Sequence, residues 1–492
     1  MNRVMRNRTW LGAVTIGLAA LLVSGCAVGP RYVRPSVPTP PAYKETSASM
    51  SPASAQPIQQ KWWEVFGDSE LDALEPQIQV SNQNLKIAAA EYQQARAMVQ
   101  YYRSGLFPTL GIGASGIREH TSENRPPLPG LQGLTYTDLV AQGDLSYQVD
   151  AWGRVRQTVE SARENAQASA ADLATVNLAL QAELAIDYFN LRNADAEEQL
   201  LQSTVADYKK TLELTQNLHN GGLASELDVE QARSQLNAAE AQEIDIGVAR
   251  AQYEHTIAVL VGKPPSVFSI PFSPLSGLPP IVPVGLPSQL LQSRPDIAAA
   301  ERRVAAANAQ IGVARAAYFP QLLLTASGGV ESGDIGTLFE GPSAAWAFGA
   351  GALETVFDGG QRHAVSAEAQ AGFDQTVAAY RQTVLTAFQD VEDNLAALRI
   401  LQQESTKQDV AVQAAGRSVV LSVNEYKGGL VDYLQVLTVQ TVSLSDQLTA
   451  VNIRGRQTVA TVQLIEALGG GWEISKLPSA QSMAWKQKLA VK

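Results

Sequence analysis

Cysteine is almost absent from this chain of 492 residues, because Cys26 is the only one. A single cysteine excludes a disulfide within the chain and a cysteine metal cluster. Histidine is scarce as well, and the four histidines lie far apart without metal-ligand spacing, at His120, His219, His255 and His363. The sequence therefore predicts no metal and no cofactor.

Long apolar runs and an excess of positive charge are also missing. No run of 18 or more apolar residues follows residue 25, so we expect no transmembrane helix there. If the chain spans a membrane, it must do so as a closed β-barrel. The 37 Lys and Arg against 48 Asp and Glu give a formal net charge of −11. This charge argues against nucleic acid as a partner, since phosphate neutralisation needs clustered Lys and Arg.

The N-terminus resembles a bacterial lipoprotein signal. Three arginines precede an apolar stretch at residues 10–23 that is too short to span a membrane and is typical of a secretory signal. Small residues, including Gly25, come directly before Cys26. This resemblance implies removal of residues 1–25 and a covalent lipid on Cys26. Ala27 favours sorting to the outer membrane.

The chain contains an internal repeat. Residues 103–108 (RSGLFP) recur at residues 315–320 (RAAYFP), an offset of 212, and Gly221 recurs as Gly428, an offset of 207. A period near 207 is too long for a solenoid unit. We interpret it as a duplication that produced two structurally equivalent halves.

Each half is predicted to contain a long helical hairpin. Residues 154–220 contain no Gly or Pro and are rich in good helix formers, so one continuous helix would be about 100 Å long. Residues 361–427 repeat this composition without Pro. A double glycine ends each stretch, and a second helix of about 40 residues follows. The predicted tips are Gly221 and Gly222 in the first hairpin and Gly428 and Gly429 in the second.

Each half is also predicted to contain one β-hairpin. Leu145, Tyr147 and Val149 alternate with polar residues, and a similar alternation begins at Leu322. Four strands cannot close a membrane barrel, which needs at least about eight. Two copies would supply eight strands and three would supply twelve, and the spacing does not choose between them.

No catalytic motif occurs in the structural context that its chemistry requires. Residues 111–116 (GIGASG) match the dinucleotide fingerprint, but no helix follows the glycines to bind a phosphate. We interpret them as small residues on a strand. No Ser, His and Asp arrangement accompanies a nucleophile elbow, and we expect no enzyme activity.

Several landmarks, in order, resemble the TolC-like outer-membrane efflux proteins, specifically the lipoprotein branch typified by OprM and NodT. The resemblance extends from Cys26 to about Trp472. Its motifs are VGPRY at 28–32, WW at 62–63, NQNL at 82–85, YQVDAWGR at 147–154, SRPDI at 293–297 and VFDGG at 356–360.

The resemblance implies a mixed α/β membrane protein that forms a homotrimer. Twelve strands would form a transmembrane β-barrel, and the helices would form a long coiled-coil barrel in the periplasm. The duct would dock onto a periplasmic membrane-fusion adaptor and an inner-membrane efflux pump, and export drugs and other small molecules. Two alternatives stay open: a duct for polypeptide secretion, and a periplasmic coiled-coil scaffold without a channel.

The expected organisation has six parts. In chain order these are a signal peptide (1–25), a lipid-anchored extended segment (26–68), a first structural repeat (69–262), a Pro-rich equatorial linker (263–295), a second structural repeat (296–469) and a C-terminal tail (470–492). The first repeat has a helix, a β-hairpin at 109–152 and a helical hairpin at 153–262, and the second has a helix, a β-hairpin at 321–358 and a helical hairpin at 359–469.

The resemblance also implies a gate at the periplasmic tips. Leu434 matches the position of a leucine ring in the constriction, and Tyr433 precedes it. Where close relatives carry an acidic residue this chain has Thr438, which leaves Asp432 and Asp228 as acidic candidates near the tips. The alternative for Leu434 is that it merely packs the helix pair, because leucine at helical spacing is usually core.

Overall fold

The structure is a computed structural model that describes residues 28–45, 58–124, 133–479 and 482–483. Cys26 and the signal segment lie outside the described residues. None of the described helices is both long and apolar enough to cross a membrane. The α-helices are α1 (Ser69–Ser81), α2 (Gln83–Ser104), α3 (Arg154–Asn220), α4 (Glu226–Leu260), α5 (Pro287–Ser293), α6 (Pro295–Ala316), α7 (Gln361–Lys427) and α8 (Tyr433–Ala467). The strands are β1 (Thr109–His120), β2 (Thr135–Val149), β3 (Gln321–Ser332) and β4 (Ala344–Leu353).

Two helical hairpins of equal dimensions dominate the fold. The helices α3 and α7 each contain 67 residues, and α4 and α8 each contain 35. At 1.5 Å per residue, each first helix is about 100 Å long. The duplication itself stays a prediction, which these equal lengths support.

An aspartate fixes the start of each long helix. The carboxylate of Asp150 accepts hydrogen bonds from the backbone N–H groups of Val155 (2.9 Å) and Arg156 (3.0 Å). Asp358 accepts from the backbone N–H of Arg362 (3.1 Å) and from its guanidinium (2.6 Å). The first N–H groups of a helix have no intrahelical partner, and an anion there also interacts favourably with the helix dipole. Each sheet-to-helix turn is therefore capped.

The four strands form one antiparallel sheet in the order β1-β2-β3-β4. Thr109 pairs with Ser146 at the start of β1, and Gln321 pairs with Leu353 at the start of β3. The central pairing of β2 with β3 joins the two halves, with Val149 opposite Leu322. Hence β1 and β4 are the edge strands of the described sheet.

The largest hydrophobic core lies at mid-height, where the short helices meet the long ones. Leu71 and Ile78 of α1, Tyr188 of α3, Tyr380 of α7 and Leu464 of α8 are almost fully buried in it. Full burial of one such side chain contributes about 1.5–3 kcal/mol. This core connects the short and long helices of both halves.

Each half closes through the same contact between a short helix and the end of a hairpin. In the first half, the side-chain amide of Asn82, which precedes α2, donates to the carbonyl of Leu260 at the end of α4 (2.9 Å). In the second half, Arg294, which precedes α6, donates to the carbonyl of Ala467 at the end of α8 (3.1 Å). Both contacts satisfy a helix C-terminal carbonyl that lacks an intrahelical partner.

Glycine permits the close approach at each of these contacts. Gly262 (φ 72°) and Gly469 (φ 97°) both have left-handed backbones. A Cβ atom would lie 2.7 Å from the carbonyl oxygen of Ser81 at Gly262, and 2.0 Å from that of Ser293 at Gly469. Any other residue would combine backbone strain with a steric clash.

The N-terminal segment of residues 28–45, here called the strap, extends along α6 and α7. The backbone N–H of Val28 donates to the carbonyl of Trp152, just beyond β2 (3.2 Å). Farther along, the hydroxyl of Tyr32 donates to Glu301 on α6, and Arg34 donates to the hydroxyl of Tyr380 on α7 (3.3 Å). The strap thus starts near the sheet and continues along the long helices.

Candidate functional site

The tips of the two hairpins have the same backbone geometry. Gly222 and Gly429 have left-handed φ angles of 78° and 71°. The N–H of Leu223 donates to the carbonyl of Leu218 (2.8 Å), and Leu430 makes the corresponding bond to Glu425 (2.9 Å). Gly221 and Gly428 precede them with right-handed backbones. These hydrogen bonds form the glycine C-cap motif, in which a helix ends at a glycine with a left-handed backbone.

The two acidic candidates cap the helices that follow the tips. Asp228 and Ser225 form a reciprocal capping box at α4, with N–H to oxygen distances of 2.9 and 3.1 Å. Asp432 accepts from the backbone N–H of Gln435 at the start of α8 (3.1 Å). Both carboxylates therefore have a structural role as helix caps near the tip.

Tyr433 holds the two hairpins together. It is almost fully buried, packs edge-on against Tyr426 with ring centroids 5.7 Å apart, and belongs to a cluster with Ala232 and Val436. Its hydroxyl donates to Gln235 on α4 (2.9 Å). Burial raises the pKa of Tyr433 above its ordinary value. The ring is a contact between hairpins and lines no open surface of this chain.

Leu434 points in another direction. Its side chain is 55% exposed, although Tyr433 and Val436 beside it are buried. Leu223, Leu227 and Leu430 are exposed at the same end of the molecule. The hydroxyl of Thr438 donates to the carbonyl of Leu434 (2.7 Å), so this polar group is already satisfied. The tips thus present leucines that nothing in the described chain covers.

The sheet has one apolar and one polar face. Leu110, Leu145, Ala326 and Phe348 lie directly opposite one another across the four strands. Directly opposite residues share a face. The adjacent row on this face carries the exposed side chains of Ile112 and Trp346 at its two edges.

The opposite face of the sheet carries mostly polar or small residues, with Ile117 and Leu323 among the exceptions. Gly111, Asp144, Ser327 and Ala347 form one row across it, and the next row includes Gln142. Such a division suits a sheet with lipid on one side and water on the other. The edges at β1 and β4 are unpaired within the described residues and leave backbone groups available for another strand.

A charged cluster at mid-height was not predicted from the sequence. The guanidinium of Arg294 contacts Asp296 (2.8 Å) and Asp390 on α7 (3.1 Å). Burial, with further contributions from Asp390, Asp296 and Glu183, raises the pKa of the neighbouring Glu466 to about 6, even though Arg294 opposes the shift. Only the SRPDI motif at 293–297 pointed to this region.

Among the described residues, no group of His, Cys, Asp or Glu side chains could hold a metal.

Comparison with known proteins identifies the family. The outer membrane efflux protein profile matches residues 74–263 and 286–470, well over half of the chain. The chain belongs to the outer membrane efflux protein family. It is therefore an outer-membrane protein and the outer-membrane component of an efflux system.

Individual relatives match almost the full length of this efflux protein. The antibiotic efflux pump outer membrane protein ArpC of Pseudomonas putida is 33% identical over 466 residues, which cover 93% of this chain and 95% of ArpC. The toluene efflux pump outer membrane protein TtgC, also of Pseudomonas putida, has the same identity and coverage. The solved CmeC outer membrane channel of Campylobacter jejuni has a TM-score of 0.84 and 25% identity, and the match covers 93% of this chain and 97% of CmeC.

Proposed function

We propose that three copies of this efflux protein form one duct. It exports drugs and other small molecules that an inner-membrane efflux pump and a periplasmic membrane-fusion adaptor deliver. The amphipathic four-stranded sheet with two open edges carries this proposal. Three copies would supply twelve strands, and pairing each β1 with the β4 of the next copy would close a barrel with polar residues inside. The names of ArpC and TtgC, which refer to antibiotics and toluene, support small molecules as the cargo.

The position of the strap supports a lipid anchor at Cys26. Val28 bonds to Trp152 just beyond β2, so Cys26 is only two residues from a point near the sheet end. Several acyl chains hold a protein stably on a membrane, whereas one holds it marginally. Intact-mass measurement of the mature protein should show a triacylated chain that begins at residue 26. A chain that begins elsewhere would contradict the anchor.

The exposed leucines support a gate at the tips. Around a threefold axis, three copies of Leu434 could meet and exclude water, while Tyr433 keeps the two hairpins of each copy in register. The same tips would meet the adaptor when the duct opens. Asp228 and Asp432 would place negative charge near this constriction and favour cations.

Two experiments test the proposed function. Purified full-length protein in planar bilayers should conduct ions through discrete channels, and an intact assembly that conducts no current would contradict a duct. Deleting the gene should make small toxic compounds more potent and leave the pattern of secreted proteins unchanged. Loss of a secreted polypeptide with unchanged drug susceptibility would indicate a secretion duct instead.

A further inference from the structure

Two extended segments, one on the hairpin of each half, are held on the long helices through their backbone N–H groups. In the first half, linker residues 268–275 lie against α3 and α4. The N–H of Ile270 donates to Glu254 (2.6 Å), and the N–H of Ser273 donates to Asp195 (2.9 Å). Two carboxylates thus fasten this part of the linker.

Two arginines complete this first fastening, of which Arg192 is buried and Arg250 is 19% exposed. Arg250 donates to Asp195 (2.6 Å) and to the carbonyl of Ile270 (2.8 Å). Arg192 pairs with the same aspartate (3.3 Å). The side chains of Arg192 and Asp195 are only 6% and 0% exposed. We call Arg192, Asp195, Arg250 and Glu254 the linker clasp.

The strap is fastened to α7 in the second half. The backbone N–H groups of Lys44 and Glu45 donate to the two carboxylate oxygens of Glu392 (2.7 and 3.1 Å). The carboxylate of Glu45 pairs with Arg399 (2.6 Å). The side chain of Arg399 is 41% exposed and that of Glu45 is 17% exposed, so this pair is open to solvent on its arginine side. We call Glu392 and Arg399 the strap clasp.

The two clasps share one corresponding position but differ in charge. Arg192 and Arg399 are 207 residues apart, the same offset that relates the double glycines. At this offset, the other three positions of the linker clasp correspond to Gln402, Gln457 and Thr461. The strap clasp therefore lacks the second arginine and the carboxylates that pair with it, of which Asp195 is fully buried.

This difference decides which fastening opens first. Removing one partner of a buried, hydrogen-bonded ion pair leaves an uncompensated charge, so such pairs rarely open. A pair with a solvent-exposed arginine contributes less and is screened by salt. We propose that the strap clasp is a releasable fastening of the N-terminal segment on α7, whereas the linker clasp holds its segment permanently on the first hairpin.

Release has a consequence for the duct, and this consequence rests on the proposed function. Within the described chain, α7 packs mainly on α6 and α8, and the strap connects it to the sheet end. Opening the strap clasp removes the part of that connection nearest the tip, and leaves the bond of Arg34 to Tyr380 in place. The second hairpin can then shift at its tip while the first hairpin stays in place.

Hydrogen exchange of the full assembly tests the two clasps directly, because each holds backbone N–H groups. The amides of Lys44 and Glu45 should exchange at least about tenfold faster than those of Ile270 and Ser273. Raising sodium chloride from about 0.05 M to about 1 M should accelerate only the strap amides. Equal protection of both pairs, or strap amides that ignore salt, would overturn the proposal.

A variant pair on α7 completes the test. Arg399→Ala should accelerate exchange at Lys44 and Glu45, whereas Arg417→Ala, at an exposed arginine farther along the same helix, should not. In planar bilayers Arg399→Ala should also open more often. Unchanged exchange in Arg399→Ala contradicts the releasable clasp, and faster exchange with unchanged opening contradicts its coupling to the tip. A wild-type assembly that conducts no current contradicts the proposed function alone, because the exchange measurement does not depend on conduction.

Discussion

Neighbouring residues at the tip of the second hairpin have separate tasks. Tyr433 is buried between the hairpins, and Leu434 is turned away from them. A helix places successive residues about 100° apart, so adjacent side chains can reach a core and an open surface. Changes at the two positions should therefore have different effects.

Leu434→Ala should raise the resting conductance of the channel in planar bilayers, because three shortened side chains would widen the constriction. Stability should hardly change, since the side chain is largely exposed in the chain. Val420→Ala, at an exposed apolar position higher on the same hairpin, is the matched control. If the Leu434→Ala assembly is intact and its conductance is unchanged, Leu434 only packs the helix pair.

Glu75 on α1 is a residue whose burial no sequence pattern indicated. It is fully buried, and neither carboxylate oxygen has a hydrogen-bond partner among the described residues. Burial raises the pKa of Glu75 well above its ordinary value. Glu75→Met should stabilise the protein by about 1–3 kcal/mol, since an apolar side chain of similar length removes the unsatisfied group. Thermal unfolding should show a higher Tm, and the exposed control Gln79→Met should show no such increase.

Glu466 predicts a pH dependence of stability. Its pKa is raised to about 6, first by burial, so ionisation at higher pH costs free energy in the folded state. The stabilisation is fully present below the unfolded pKa and is lost as the pH rises through about 6. Glu466→Gln should therefore raise the free energy of unfolding at neutral pH, by up to about 2 kcal/mol per chain before solvent screening is discounted. In thermal unfolding this gain should vanish at acidic pH, and a gain of the same size in the exposed control Glu368→Gln would contradict the assignment.

At the scale of elements, the closing contacts of the two halves depend on glycine. Gly469→Ala places a Cβ atom against the Ser293 carbonyl at a left-handed φ. We expect a loss of more than about 3 kcal/mol, because the clash adds to the backbone strain. Gly372→Ala within α7 is the control, for which we expect an increase in the free energy of unfolding instead of a loss. A Cβ there meets nothing in the described chain, and alanine should stabilise the helix by up to about 1 kcal/mol. Thermal unfolding of both variants separates the two effects.

Elements with local signals could be predicted, and contacts between distant elements could not. The helix α3 fills residues 154–220 because no Gly or Pro interrupts them and a double glycine follows. The pairing of β2 with β3 connects residues more than a hundred positions apart and left no sequence signal. The candidate site shows the same division between local and distant signals. The tip glycines could be predicted from the sequence. The burial of Tyr433 and the linker clasp depend on packing between helices.

At the scale of the whole molecule, the chain cannot satisfy its own sheet edges within the described residues. The outer N–H and C=O groups of β1 and β4 would have no partner in lipid, and each such group costs several kcal/mol. Folding in the membrane should therefore be inseparable from association. Native mass spectrometry in detergent should show three chains, and dilution should unfold the sheet as the chains separate. A stable monomer with an intact sheet would contradict this expectation.

The strap also constrains the order in which the molecule is built. Tyr32 bonds to Glu301 and Lys44 to Glu392, separations of 269 and 348 residues. The strap lies near the N-terminus, whereas its partners on α6 and α7 lie in the second half of the chain. Contacts between such distant residues form slowly, because a long loop must close first. The strap is thus among the last segments to dock, and until then the residues of α7 that it contacts stay exposed to other chains.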